Sequence, residues 1–148
     1  MAVAMTGRHR EETMNRSTKL TVVASSQGAD RPRPRWHFDH HRLDAYFVAL
    51  EALEVVHEVA GEMKKGHGKL KDHLVRAVDG VFTQTVEAAA RTGADRAARF
   101  RVARAEAAEA AAVLEALERL ALAQPDKVDR ALGLLWRLSA MLTKLARL

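Results

Sequence analysis

The stretch DRAARFRVARAEAAEAAAVLEALERLALAQPD (Asp95–Asp126) carries the clearest structural signal in the chain. Phe100, Ala103, Ala107, Ala110, Leu114, Leu117 and Ala121 recur at spacings of three and four, which places them on one face of a helix. Alanine dominates that seam, so the helices it packs against are expected to approach closely. Asp95 is placed to cap the N-terminus. Gln124 and Pro125 end the helix at about residue 123. Pro125 with Asp126 then starts the next one, because proline's fixed φ and missing N–H suit a first helical turn.

Working outward, the segment after Pro125 has two apolar stripes. Leu134, Leu138, Met141, Leu145 and Leu148 form one; Val128, Leu132, Leu135 and Leu142 form the other. Upstream, Leu43, Tyr46, Leu50, Leu53, His57 and Ala60 share a face of a helix ending near Met63, with Val48, Val55 and Val59 as a second stripe. KKGHGK (Lys64–Lys69) supplies a basic break. A further helix follows with Leu70, Leu74, Ala77, Val78, Val81, Thr85 and Ala89 inward. Gly80 in its middle costs ~1 kcal/mol relative to alanine and implies a close contact there. The pattern predicts helices at about 40–63, 69–90, 95–123 and 126–148, joined by short connections. The expected fold is therefore all-α, an up-down-up-down antiparallel four-helix bundle over residues 39–148.

Residues 1–38 have no sustained apolar period and include RPRPRW (Arg31–Trp36), whose alternating prolines block helix and sheet ladders. A flexible basic tail is expected there, with Met5 and Met14 as further candidate starts. The charge distribution agrees. Of a net charge of +5, residues 1–42 hold eight Lys or Arg against four Asp or Glu, and the remainder sixteen against fifteen. The folded body is thus not generally basic.

Several function classes are excluded. With no cysteine, disulfides, thiolate metal sites and a cysteine nucleophile are ruled out. The longest uncharged run, Leu20–Ala29, is too short to span a bilayer, which takes ~20 apolar residues. A cytoplasmic protein without a membrane partner is expected. No Gly-rich phosphate loop, G-x-S-x-G elbow or HExxH is present, so no catalytic residue or cofactor is expected. His37, His40 and His41 beside Asp39 offer metal-ligand types. A cluster joining a mobile tail to a helix rarely binds tightly, however, and no metal site is assigned. His57, on an apolar face, reads as a packed histidine with one hydrogen bond.

The arginines are more informative. Arg91, Arg96, Arg101 and Arg104 crowd the start of the third helix, where the macrodipole already disfavours cations. Arg96, Arg101 and Arg104 have no acidic residue three or four positions away. Arg130, Arg137 and Lys144, spaced by sevens, add a basic line on the fourth helix. Arg31, Arg33, Arg35 and Trp36 combine charge with an aromatic ring in the tail, a pairing that suits single strands. Together these are the candidate nucleic-acid-binding residues, with guanidinium forks matched to phosphate. The plainer reading is solvated charge, or pairing with the glutamates of the first helix.

The order of elements also resembles a four-helix-bundle family that includes the ribosomal-RNA intervening-sequence proteins and the accessory protein of diversity-generating retroelements. The resemblance rests on LDAYFVALEALEVVHEVA, HLVRAVDGVFTQTVEAAAR, ADRAARFRVARAEAAEAAAVLEAL and the terminal LWRLSAMLTKLAR. The family's signature in the second helix reads roughly S-I-P-L-N-I-A-E-G, whereas Gly80–Ala88 reads GVFTQTVEA. Glu87 matches; Phe82 stands for the proline, Gln84 for the asparagine and Ala88 for the final glycine. The resemblance implies a ring-shaped homo-oligomer, typically a pentamer, that binds nucleic acid or a reverse transcriptase and has no established catalysis.

The over-wide apolar arcs of the first and fourth helices suggest either self-association, because a soluble monomer seldom exposes more than ~600 Å² of contiguous apolar surface, or a fourth helix lying deep among its three neighbours. Val48, Val55, Val59, Leu134, Trp136, Met141 and Leu148 are the candidate interface. The expected function is a non-enzymatic homo-oligomer binding RNA, single-stranded DNA or a nucleic-acid enzyme. The alternative is a scaffold whose tail and outer helices dock a partner protein.

Overall fold

The computed structural model describes residues 37–147. The tail before them lies outside the described residues, and with it Arg31, Arg33, Arg35 and Trp36; so does Leu148. A 3-10 turn over Asp39–Arg42 leads into four α-helices: α1 (Asp44–Glu62), α2 (Gly68–Ala89), α3 (Gly93–Arg119) and α4 (Pro125–Leu145). There is no strand among the described residues. Each helix packs on the two that neighbour it in a square: α1 on α2 and α4, α3 on α2 and α4. This is the expected antiparallel four-helix bundle, closed by the contact between α1 and α4. No helix among the described residues is long and apolar enough to cross a membrane.

The α3 seam is buried as expected, with Phe100, Ala103, Ala107, Ala110, Leu114 and Leu117 sealed from solvent. Its end differs. Ala121 lies beyond the helix at φ 50°, exposed, in the left-handed position that follows many helix C-termini. The Leu122 N–H bonds the Leu117 carbonyl at 2.9 Å across it, and Leu122 rather than Ala121 enters the core. Asp95 does not cap α3 either. It lies inside the first turn and accepts a hydrogen bond from Arg91 at 2.6 Å, while Thr92 occupies the cap position.

α1 is rotated from the expected register. Its core face is Ala45, Val48, Ala49, Ala52, Val55, Val56, Val59 and Ala60, whereas Leu43, Tyr46, Leu50 and Leu53 are half-buried at the edges. The physical reason is closeness. A helix that meets two close neighbours buries a wide arc, and small side chains fill the centre of that arc better than leucine does. Val48, Val55 and Val59 are therefore core residues of one subunit, which corrects their assignment to an oligomer interface. Leu134 and Met141 are half-buried and packed against the core, while Val128, Ala131, Leu135, Leu138 and Leu142 form the centre of α4.

In α2 the buried face is Leu74, Ala77, Val78, Val81, Thr85 and Ala88, with Ala88 in the place expected of Ala89. Thr85 is the one buried polar residue among those described, and its hydroxyl donates to the Val81 carbonyl at 2.7 Å. At Gly80 the expected close contact is present and comes from a side chain. An added Cβ would lie 3.0 Å from Glu106 Cδ of α3.

Candidate nucleic-acid interface

Four cations on the bundle's sides are held by carboxylates from neighbouring helices. Arg76 reaches Glu109 at 2.9 Å, Arg99 reaches Glu87 at 3.1 Å, and Arg130 reaches Glu51 at 3.1 Å. Lys127 donates to Glu62 and lies 3.8 Å from Glu58. The Glu62 hydrogen bond raises the Lys127 pKa against a smaller opposing desolvation. Arg91 is raised likewise by its bond to Asp95. Two candidate contacts from sequence, Arg91 and Arg130, are thus already paired.

The remaining candidates are different. Arg96, Arg101, Arg104, Arg137 and Lys144 have no carboxylate within 4 Å among the described residues. Arg96 lies over the Phe100 ring, 5.4 Å from its centroid, a cation–π contact that leaves its N–H donors available. Arg104 reaches only the Thr143 hydroxyl, at 3.4 Å. Because α3 and α4 are antiparallel, that contact brings the start of α3 to the end of α4. Arg96, Arg101 and Lys144 therefore gather at one end of the bundle, joined by the exposed Arg147. Arg137 stands apart, two turns back along α4.

A hollow of about 290 Å³ opens at this end, lined by Thr92, Gly93, Arg96, Ala97 and Leu145. The first N–H groups of α3 have no intrahelical acceptor, and the Thr92 side chain makes no capping bond. The chain matches no family model and no curated protein. Glu87, the position shared with the resembled signature, is spent on Arg99, whose guanidinium also donates to Gln84 Oε1 at 3.1 Å. That cluster ties α2 to α3.

The histidines take structural places. His57 is not packed in an apolar face; it is 47% exposed and its Nε2 lies 2.9 Å from Asp79 of α2. His40 stacks on Phe38 with centroids 5.6 Å apart, and His41 Nδ1 accepts the Phe38 N–H at 3.1 Å. Burial among these rings, aided by His41 and opposed by Asp39, lowers the His40 pKa. No group of three or more metal-ligating side chains assembles among the described residues.

Sequence reasoning missed two features. Lys64, Lys65, Lys69 and Lys71 form an exposed basic group at the opposite end of the bundle, legible as KKGHGKLK but treated only as a helix break. The other is a groove of about 280 Å³ between α3 and α4, lined by Ala107, Ala108, Ala111, Leu135 and Trp136 among others. No within-helix signal marks it, because it depends on how the two helices sit against each other.

Proposed function

We propose that the protein is a non-enzymatic helical module that binds RNA or single-stranded DNA at the end of the bundle where α3 starts and α4 finishes. One observation carries this reading: Arg96, Arg101, Lys144 and Arg147 have no carboxylate within 4 Å among the described residues, while Arg76, Arg99, Lys127 and Arg130 along the sides are paired. Cations beside a helix N-terminus are electrostatically unfavourable without an anion. A phosphate in the hollow would meet Arg96, the Thr92 hydroxyl and free backbone N–H groups, with Arg101 and Lys144 on adjacent phosphates. The tail residues Arg31, Arg33, Arg35 and Trp36 would add phosphate and stacking contacts. The resemblance to intervening-sequence and retroelement accessory proteins is consistent with this class, and makes a reverse transcriptase one candidate carrier of the bound strand.

The test is ionic strength. Binding of a labelled single strand, followed by fluorescence anisotropy, should weaken steeply with salt, with a log–log slope of about −0.7 per phosphate contacted. Arg96→Ala with Arg101→Ala should flatten the slope by about two contacts' worth. Arg76→Ala, which removes a paired side-face cation, should leave the slope unchanged. Absence of binding at low salt removes this reading.

A second reading, the protein-docking scaffold, is favoured by a separate observation: Trp136 is 78% exposed at the edge of the α3/α4 groove.

A further inference from the structure

The α3/α4 groove carries opposite charge at its two ends. Trp136 stands at its middle, level with Ala108 and Ala111 of α3. Towards one end lies Glu115, beside Leu132, with Asp129 one turn earlier on the same edge of α4. Towards the other lies Arg104, beside Thr143. Neither Glu115 nor Asp129 has a cation within 4 Å among the described residues, and Arg104 has no carboxylate. Arg104 and Glu115 are about 16 Å apart along α3, at ~1.5 Å per residue, and their midpoint falls between Ala108 and Ala111.

We infer that a second copy of this chain docks here, with a two-fold axis through the middle of the groove and the two α3 helices antiparallel. A two-fold interface must be complementary to itself, so its charge must change sign across its own centre. This groove meets that condition. Rotation about the midpoint sets Arg104 of each copy against Glu115 of the other, and brings the two Trp136 rings over facing alanines. The exposed alanines Ala105, Ala108 and Ala112 let the helices approach closely. A tryptophan near the centre of a patch, framed by charge pairs, is the usual makeup of an interface hot spot. The surface is separate from the hollow proposed to seat phosphate at the start of α3, and its readout is mass rather than nucleic-acid affinity.

Sedimentation of the full chain at tens of micromolar should give twice its 16.4 kDa. Trp136→Glu should weaken self-association by about 30-fold or more, the loss expected of a hot-spot residue, with helical circular dichroism unchanged. Arg104→Glu and Glu115→Arg should each weaken it about tenfold, since each places like charges at both ends of the interface. The two together restore the opposition and should return the affinity to within about threefold of the starting protein. That rescue distinguishes contact across the axis from mere unfolding. A monomer in the unmutated protein overturns the inference. So does a larger ring indifferent to Trp136→Glu, or a charge-swapped double variant no better than either single one.

Discussion

α4 has two edges, and they are finished differently. On the edge facing α1, Arg130 meets Glu51 and Lys127 meets Glu62 and Glu58, so the seam is closed by charge pairs above a packed core. On the edge facing α3, Trp136 is exposed, and among the described residues Arg104 finds only a threonine hydroxyl and Glu115 has no cation within 4 Å. Both edges flank the same buried stripe of Leu135, Leu138 and Leu142. The contrast shows that apolar width alone does not locate a binding surface. The over-wide arc of α1 is consumed by α2 and α4, and three of the glutamates that might have crossed a subunit boundary are used inside one. What marks a free surface is the combination of an exposed ring and charges left without partners.

The sharpest way to test that contrast uses adjacent residues. Leu135 is buried to within 1% and Trp136 is 78% exposed. Leu135→Ala should cost about 2–5 kcal/mol, the range for a core leucine whose cavity closes only partly. Trp136→Ala, measured below the concentration of self-association, should change the unfolding free energy by no more than ~0.5 kcal/mol. Urea denaturation of both variants decides the matter. A tryptophan variant as unstable as the leucine variant would mean that the α3 edge is core rather than surface.

Next in size is a backbone effect where the α3/α4 connection turns. Ala121 holds φ 50° with its Cβ in a region L-residues disfavour, at the position where glycine is usual. Ala121→Gly should stabilise the fold by up to ~1 kcal/mol, read as a raised thermal midpoint. No gain would mean that the turn is held by the Leu122 anchor strongly enough to make its own strain irrelevant.

The charged edges give a smaller effect. Arg130→Ala breaks a pair whose arginine is 60% exposed, so the loss should be about 0.2–1 kcal/mol and should shrink in high salt. Arg104→Ala, on the open edge, should cost the monomer nothing measurable. Equal losses for the two would erase the distinction drawn between the edges.

How much of this was legible in the sequence follows from the length scale of each feature. The α3 seam was, since a single helix with a regular period declares its buried face. The number and order of helices were, because glycine, proline and the KKGHGK run punctuate them. α1 was misread by a rotation because leucine and tyrosine outrank alanine in hydrophobicity, while packing between close helices favours Ala45, Ala49 and Ala52. Arg96, Arg101 and Arg104 were rightly seen to lack partners within their own helix. The pairs Arg99–Glu87 and Lys127–Glu62 were not visible, because they depend on the register between helices. For the same reason the groove at Trp136 was invisible, although its tryptophan was picked out as an interface residue.

The smallest effect concerns a third way of finishing an edge, by aromatic rings instead of ions. Ahead of α1, His40 lies 4.5 Å from the Tyr46 ring and stacks on Phe38, with His41 and Asp39 as its charged neighbours. Burial and His41 lower its pKa in the folded chain, and Asp39 only partly opposes them. The unfolded chain, with an ordinary histidine pKa near ~6.5, then binds more protons than the folded one over the interval between the two values. Stability from this contact is full above the unfolded pKa and declines as pH falls through it towards the lowered value. The thermal midpoint should therefore drop more between pH 7.5 and 5.5 in the starting protein than in His40→Phe, which keeps the ring stack and removes the titration. Comparing the two chains cancels the other histidines. An equal drop in both would show that protonation of His40 costs the turn nothing, and that the rings hold Asp39–Arg42 against α1 whatever their charge.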